Sequence, residues 1–248
     1  MKEFTLFFFP YAGGSAKVYK SWEKSMPSEI EMVYIDPPGR GRRIGEKPCQ
    51  SIEQMLEDVF DQIKDRLEDG KYAFFGHSMG GIIAHEMVYK IREAGLPEPE
   101  YLFLSGRGAP HVEGEDDDDD MHLLPDDQFI ERLNDYGGTP KQVLENKELM
   151  DLFLPILRSD FKVCNEYEYS TGEEPFDFGI TIFTGLEEEL SDAKIEGWQK
   201  YTKHKLRSNR FPGGHFFLHE EKNKHHILRI ISRTIFDIIE ESPEVQVG

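Results

Sequence analysis

A serine stands between two glycines in the stretch GHSMG at residues 76–80. A serine hydroxyl is a weak nucleophile at neutral pH, so Ser78 needs a base, an acid that orients the base, and donors for an oxyanion. The apolar run at 72–75 has the length of a strand, and residues 79–95 follow with a helical pattern. The spacing G-x-S-x-G between a strand and a helix predicts a sharp, strained turn that exposes the hydroxyl of Ser78.

The base must be one of the nine histidines. Where such a turn lies above a parallel sheet, the order along the chain is serine, acid, histidine. His215 follows the last predicted strand in FPGGHFFL, where Gly213 and Gly214 let the imidazole approach the serine closely. Four other histidines are better explained by core or surface positions, or by the far side of the turn: His77, His85, His225 and His226. We therefore predict His215 as the base.

The acid should follow the predicted strand ITIFT at 180–184. Its carboxylate would accept the imidazole N–H, fix the tautomer and stabilise the imidazolium that forms during attack. The chain continues with three consecutive glutamates at 187–189 and then Asp192. A glutamate can fill this role, but the residues alone leave several neighbouring carboxylates as candidates.

The oxyanion requires backbone N–H donors. One should be the amide after the nucleophile, that of Met79, and the other should come from the loop that follows the first strand. The segment FPYAGGS at 9–15 is a glycine-containing turn in that position. Gly13 and Gly14 would also suit a phosphate loop, but no lysine followed by serine or threonine comes after them, which disfavours nucleotide binding.

These groups need a scaffold that brings the ends of distant strands together. Apolar runs of strand length alternate with segments of helical period, and most runs are continuous, as in strands covered on both faces. Strands are predicted at 4–9, 31–35, 72–75, 101–105, 180–184 and, in a more polar segment, 206–211. Helical faces are predicted at 52–67, at 81–93 and in the segment HHILRIISRTIFDIIEE. This βαβ succession predicts an α/β fold with a mainly parallel sheet flanked by helices.

The alternation is interrupted between the fourth and fifth predicted strands. An acidic run at 113–120 and a mainly helical stretch fill residues 107–172, which is too long for an ordinary crossover. An insertion over the carboxyl edge of the sheet would form a lid. We expect the aspartates to form a solvated loop, because a calcium loop needs a glycine and spaced acceptors. Residues 1–248 are expected to form one domain that carries this lid insertion.

The composition limits the partners. A net charge of −19 over 248 residues disfavours nucleic acid and anionic membrane surfaces. No run of about 18 apolar residues predicts a membrane span, and MKEFTLFFFP fits a buried strand better than a signal peptide. Cys49 and Cys164 lack the spacing of a zinc site or a CxxC motif, so we expect no metal and a reducing, cytoplasmic setting. We expect a monomer.

Seven motifs together resemble those of the stand-alone type II thioesterases of nonribosomal peptide and polyketide synthesis, which are members of the α/β-hydrolase superfamily. The motifs are FFFPYAGGSA, DPPGRGRR, FFGHSMGG, LPDDQF, LPILRSDF, EGW and FPGGHFFL. They run from about residue 4 to residue 240 and are specific as a set. The motif G-x-S-x-G alone would indicate only some serine hydrolase.

The resemblance also assigns roles. It implies Ser78 as the nucleophile, His215 as the base and the amides of Met79 and Ala12 as the oxyanion hole, with Tyr11 as the alternative to Ala12. The usual aspartate of the family falls on Glu188, and this departure from the pattern keeps Glu187 and Asp192 open as the acid.

The implied activity is hydrolysis of acyl thioesters carried on the phosphopantetheine arm of carrier domains, through an acyl-serine and without a cofactor. The alternatives are a soluble carboxylesterase, a thioesterase for free coenzyme A esters, or a catalytically silent hydrolase fold that only binds acylated carriers. Four apolar lid residues could line an acyl channel, although packing within the lid is their simpler use: Phe153, Leu154, Ile156 and Leu157.

Carrier domains of such partners are typically acidic, so docking would need locally positive surface on this acidic chain. The candidates are Arg40, Arg42 and Arg43, with Lys141, Lys147, Arg158 and Lys162 in the lid. A structural arginine paired with an aspartate is the alternative, above all for Arg40 and Arg43.

Overall fold

One parallel β-sheet forms the centre of the molecule in the computed structural model, which describes residues 2–112, 120–169 and 174–241. The strands are β1 Phe4–Phe9, β2 Ile30–Tyr34, β3 Tyr72–His77, β4 Tyr101–Ser105, β5 Gly179–Gly185 and β6 Arg207–Phe211. They lie in the order β2-β1-β3-β4-β5-β6, and every neighbouring pair is parallel. The predicted α/β class and the predicted strands are confirmed, with ends that differ by at most two residues. The polar segment β6 lies at an edge of the sheet, which explains why its pattern is the weakest.

Helices cover both faces of this sheet. They are α1 Ile52–Ile63, α2 Met79–Glu93, α3 Asp126–Tyr136, α4 Lys141–Leu144, α5 Lys147–Asn165, α6 Asp192–Glu196 and α7 Glu221–Glu240. Side chains of a strand alternate between the faces. In β1, Phe7 and Phe9 pack with α1 and α2, whereas Leu6 and Phe8 pack with α7. Both faces of the sheet are therefore buried, as the continuous apolar runs predict.

The segment between β4 and β5 holds α3, α4 and α5. These helices share a small apolar core of their own, to which Phe129, Leu133, Met150, Leu157 and Phe161 contribute. The insertion therefore packs as a layer of helices and not as an extended crossover. Most of the predicted acidic loop, at 113–119, lies outside the described residues.

The loops at the carboxyl ends of the parallel strands meet on one edge of the sheet. Three of these loops carry Ala12, Gly106 and Glu188, and Ser78 and His215 follow β3 and β6. All five residues line one cavity, so the topology assembles a site from segments that are distant in sequence. Within the described residues, the helices are all too short or too polar to cross a membrane.

Candidate active site

Ser78 lies in a strained turn between β3 and α2. Its backbone has φ 54° and ψ −116°, a conformation that costs a non-glycine residue about 1–3 kcal/mol. A Cβ atom on Gly76 would lie 1.9 Å from the carbonyl oxygen of Gly80, so only glycine permits this turn. A Cβ atom on Gly80 would lie 2.2 Å from the carbonyl oxygen of Phe9, so α2 packs directly on the end of β1. The predicted sharp turn at Ser78 is therefore present, and both glycines of the motif are required by its close backbone contacts.

His215 and Glu188 form a hydrogen-bonded pair at the same cavity. The imidazole Nδ1 lies 2.5 Å from Oε1 of Glu188, and Oε2 of Glu188 accepts the amide N–H of Gly185 at 3.0 Å. An ionised carboxylate can only accept, so Nδ1 carries the proton and Nε2 presents a lone pair. A Cβ atom on Gly185 would lie 2.4 Å from the carbonyl oxygen of Gly213, so this glycine lets the two loops meet.

The other carboxylates of this loop are placed differently. Glu187 is exposed at the cavity, and Asp192 is exposed and paired with Arg210. The carboxylate that reaches the imidazole is therefore that of Glu188. The extra methylene of a glutamate, relative to an aspartate, is accommodated because the side chain folds back onto the amide of Gly185, the last residue of β5.

His77, next to the nucleophile, is fully buried beneath the base. Its ring lies 4.7 Å from the ring of His215, and its Nδ1 is 2.9 Å from the hydroxyl oxygen of Ser105. Burial, followed by the nearby His215 and His219, holds the pKa of His77 well below its ordinary value. His77 therefore stays neutral and places no positive charge against the base.

The loop after β1 forms the opposite side of the cavity. The amide of Gly14 donates to the carbonyl oxygen of Tyr11 at 2.9 Å, and the amide of Gly13 donates to Oδ2 of Asp160 at 2.6 Å. Both of these amides are thus occupied, whereas Ala12 lines the cavity together with Ser78. Tyr11, the alternative to Ala12, is not among the described residues that line the cavity. This arrangement favours Ala12 as the oxyanion donor beside the start of α2 at Met79.

The cavity has a volume of about 560 Å³ and a mixed wall. Charged, amide and aromatic side chains line it: Arg107, Arg132, Asp135, Asn165, Glu187, Lys194, Tyr136, Phe161, Tyr167 and Tyr169. The apolar lid residues considered for a channel are used for packing. Leu157 contacts Gly13 and Ile156 approaches Gly39, while Phe153 and Leu154 join the lid core. The simpler of the two expectations for these four residues therefore agrees with the structure.

Sequence reasoning missed a lid residue that contacts the base. The hydroxyl of Tyr136, at the end of α3, lies 3.2 Å from Nε2 of His215. The chain leaves α3 through Gly137 and Gly138, at φ 81° and 80°, and a Cβ atom on Gly138 would lie 2.1 Å from the ring of Phe216. In the sequence, two glycines after a helical stretch indicate only that the helix ends there. Its fit against the loop of the base depends on the tertiary structure.

The sheet and the strained serine turn define an α/β-hydrolase. The family model of the thioesterase domain matches residues 4–235, and the chain therefore belongs to the thioesterase family. It is 41% identical to the gramicidin S biosynthesis protein GrsT of Aneurinibacillus migulanus, over 88% of this chain and 84% of that protein.

Solved structures agree with this assignment. ClbQ from the colibactin NRPS/PKS pathway superposes with a TM-score of 0.88 at 33% identity, over 96% of this chain and 98% of that one. The type II thioesterase BorB from the borrelidin biosynthetic cluster gives 0.81 at 30% identity, over 93% and 91%. The predicted family is confirmed, and the protein is a thioester hydrolase of α/β-hydrolase fold.

Proposed function

We propose that this protein removes acyl groups from the phosphopantetheine arm of carrier domains in nonribosomal peptide or polyketide synthesis. The observation that carries the proposal is the Glu188–His215 pair on the cavity that also contains Ser78. The similarity to proteins of such pathways supports the choice of carrier-bound substrates.

We further propose that residues 1–248 act as one domain with the lid at about 107–172, and that the protein acts as a monomer.

In the first half of the reaction, Nε2 of His215 accepts the hydroxyl proton as Oγ of Ser78 attacks the thioester carbonyl carbon. Glu188 stabilises the imidazolium through Nδ1–H, and the amides of Ala12 and Met79 donate to the oxyanion. When the tetrahedral intermediate collapses, the C–S bond breaks. The imidazolium then protonates the leaving sulfur, so the arm departs as a free thiol and the acyl group stays on Ser78.

In the second half, a water molecule gives a proton to Nε2 of His215 and attacks the acyl-serine. The same two amides hold the second oxyanion, and the imidazolium returns its proton to Oγ of Ser78 as the acid leaves. At the end of the cycle, His215 is neutral again and Ser78 carries its hydroxyl proton again. This mechanism therefore requires no cofactor.

Docking of an acidic carrier requires positive residues that are not already paired. Arg40 and Arg43 are paired with Asp160 and Asp58, which agrees with the structural alternative for both. Arg158 and Lys162 also have acidic partners within the lid, Asp126 and Glu166. Arg42, Lys141 and Lys147 are exposed and form no ion pair within residues 2–112, 120–169 and 174–241. We assign these three residues to the docking surface.

The nucleophile is tested with Ser78→Ala. Loss of the hydroxyl should lower kcat about 10⁴- to 10⁶-fold, with a residual rate from binding and the oxyanion donors. The measurement is release of the carrier thiol from an acylated carrier domain. A fluorophosphonate probe should label the wild-type chain but not the variant, which separates an active hydrolase from a silent fold. A variant that keeps a tenth of the wild-type rate would exclude Ser78 from the mechanism.

The substrate class is tested by comparing acyl carrier, acyl coenzyme A and p-nitrophenyl ester with the same acyl group. We expect the highest kcat/KM for the acyl carrier. A higher value for acyl coenzyme A would indicate a thioesterase for free thioesters, and a higher value for the oxygen ester would indicate a carboxylesterase.

A further inference from the structure

A buried carboxylate from the lid contacts the loop that supplies the proposed oxyanion donor. Asp160 in α5 is fully buried, and its Oδ2 accepts the amide N–H of Gly13 at 2.6 Å. The two carboxylate oxygens also accept Nη1 and Nη2 of Arg40, at 2.6 and 2.7 Å. Gly13 follows Ala12 directly, so the lid carboxylate lies one residue from that donor.

The ion pair holds this carboxylate in one orientation. A buried charge is tolerated only when its partners satisfy it, and a bidentate arginine fixes both the position and the plane of a carboxylate. Arg40 is fixed in turn, because its guanidinium also donates to the carbonyl oxygen of Pro38. Asp160 can therefore act as a rigid acceptor for the amide of Gly13.

The loop is confined from two further directions. Gly13 has φ 71°, and a Cβ atom there would lie 2.3 Å from Cδ2 of Leu157, so α5 packs directly onto its α-carbon. On the sheet side, the end of β1 packs against the backbone of Gly80 in α2. The peptide unit between Ala12 and Gly13 is thus held by the hydrogen bond to Asp160 and by the contact of α5 with Gly13. It shares the α-carbon of Ala12 with the preceding peptide unit, which carries the N–H of Ala12.

We propose that Asp160 is a positioning residue for the oxyanion hole, acting through Gly13 on the amide of Ala12. The inference rests on the proposed function, which uses Ala12 as a donor to the oxyanion. Through this one carboxylate, α5 then supports the oxyanion loop. A donor displaced by a fraction of an ångström stabilises the transition state less, while substrate binding in the cavity is unaffected.

The test is Asp160→Asn, which keeps the shape of the side chain and removes its charge. We expect kcat for an acyl thioester to fall about 10- to 100-fold with KM within about twofold of wild type. A trifluoromethyl ketone analogue of the acyl group, which forms an oxyanion on Ser78, should lose affinity by the same factor. A thioether analogue without the carbonyl should bind unchanged. A loss of kcat without a loss of ketone affinity would overturn the inference.

Two further variants separate positioning from stability. Ser159→Ala removes another anchor of α5, the hydroxyl that donates to the carbonyl oxygen of Cys49. This variant should lower the thermal unfolding midpoint and leave kcat within about twofold. Arg40→Met with Asp160→Leu removes both charges together, so no unpaired charge remains even if Asp160→Asn fails to fold. This pair should keep the fold and still lose kcat, and wild-type kcat in a folded pair would overturn the inference.

These outcomes are distinct from those of the proposed function. A wild-type protein that does not cleave acyl thioesters, or an active Ser78→Ala variant, overturns the proposed function and this inference with it. An active wild type with an inactive Ser78→Ala variant upholds the proposed function. With that result in hand, the ketone affinities of the Asp160 variants decide this inference alone.

Discussion

Two lid helices reach the two sides of Ser78 by different means. On the side of the base, α3 ends in Tyr136, whose neutral hydroxyl is 3.2 Å from Nε2 of His215. On the side of the oxyanion loop, α5 contributes Asp160, which is fully buried, bidentate to Arg40 and bonded to a backbone amide. The first contact is a hydrogen bond between neutral groups at the cavity, beside ring contacts of Tyr136 with Phe161, His215 and Phe216. The second is a buried, bidentate ion pair.

The difference indicates which contact of the lid is the easier one to release. With Nδ1–H donated to Glu188, the imidazole of His215 has one lone pair, at Nε2. The hydroxyl of Tyr136 competes for that lone pair with the hydroxyl of Ser78. Release of the Tyr136 hydroxyl from Nε2 gives up a hydrogen bond between neutral groups, whereas release of Asp160 would leave a buried charge without its partner. We therefore expect the contact at the end of α3 to be released more easily than the contact of α5.

Among the variants on the two sides of Ser78, Glu188→Gln on the side of the base should have the largest effect. An amide can turn its N–H₂ toward Nδ1 and favour the wrong imidazole tautomer, so kcat should fall about 10²- to 10⁴-fold. The measurement is thiol release at saturating acyl carrier. Glu187→Gln and Asp192→Asn are matched controls from the same loop and should stay within about twofold. If Asp192→Asn loses kcat and Glu188→Gln keeps it, Glu188 is wrongly assigned as the acid.

Charge reversal at the docking residues should have a smaller effect. Arg42 lies two residues after Arg40, the partner of Asp160 in α5, and Lys141 begins α4, which follows α3. Each of the two residues therefore reports on one side of the lid. We expect Arg42→Glu and Lys141→Glu to raise KM for acyl carrier several-fold, more at low salt, because like charges then meet. Turnover of a small thioester is the internal control. Equal losses on both substrates would mean that these residues support the fold or the site and not the partner.

The smallest expected effect is a gain, from Tyr136→Phe. The variant keeps the ring that packs near Phe216 and His215 and removes only the hydroxyl that competes for Nε2. A weak neutral hydrogen bond contributes about 0.5–1 kcal/mol, so kcat/KM for a small thioester should rise about two- to fivefold. The rate of fluorophosphonate labelling of Ser78 should rise in parallel. A fall in both rates would mean that the hydroxyl assists the base, which would remove the contrast between the two helices.

The scaffold was largely predictable, because its signals are local. Continuous apolar runs, helical periodicity and a glycine-flanked serine each depend on residues within a few positions of one another. The nearness of His215 to Ser78 follows from parallel strands, whose carboxyl ends share one edge of a sheet. The acid was not resolved at this level, since Glu187, Glu188 and Asp192 are alike in charge and close in sequence. Which of them faces the imidazole depends on the path of the loop and on the amide of Gly185.

The sequence by itself therefore determined the α/β sheet, the serine turn, the histidine loop and the presence of a lid, since local patterns of polarity and glycine specify them. The tertiary structure alone decided how the lid contacts the site. Asp160 is 147 residues from Gly13 and 120 residues from Arg40, and Tyr136 is 79 residues from His215. In the sequence these are an acidic residue and a tyrosine on amphipathic helices, where exposure to solvent is the usual outcome. Their burial and contacts depend on how the insertion packs across the edge of the sheet, which no local pattern encodes.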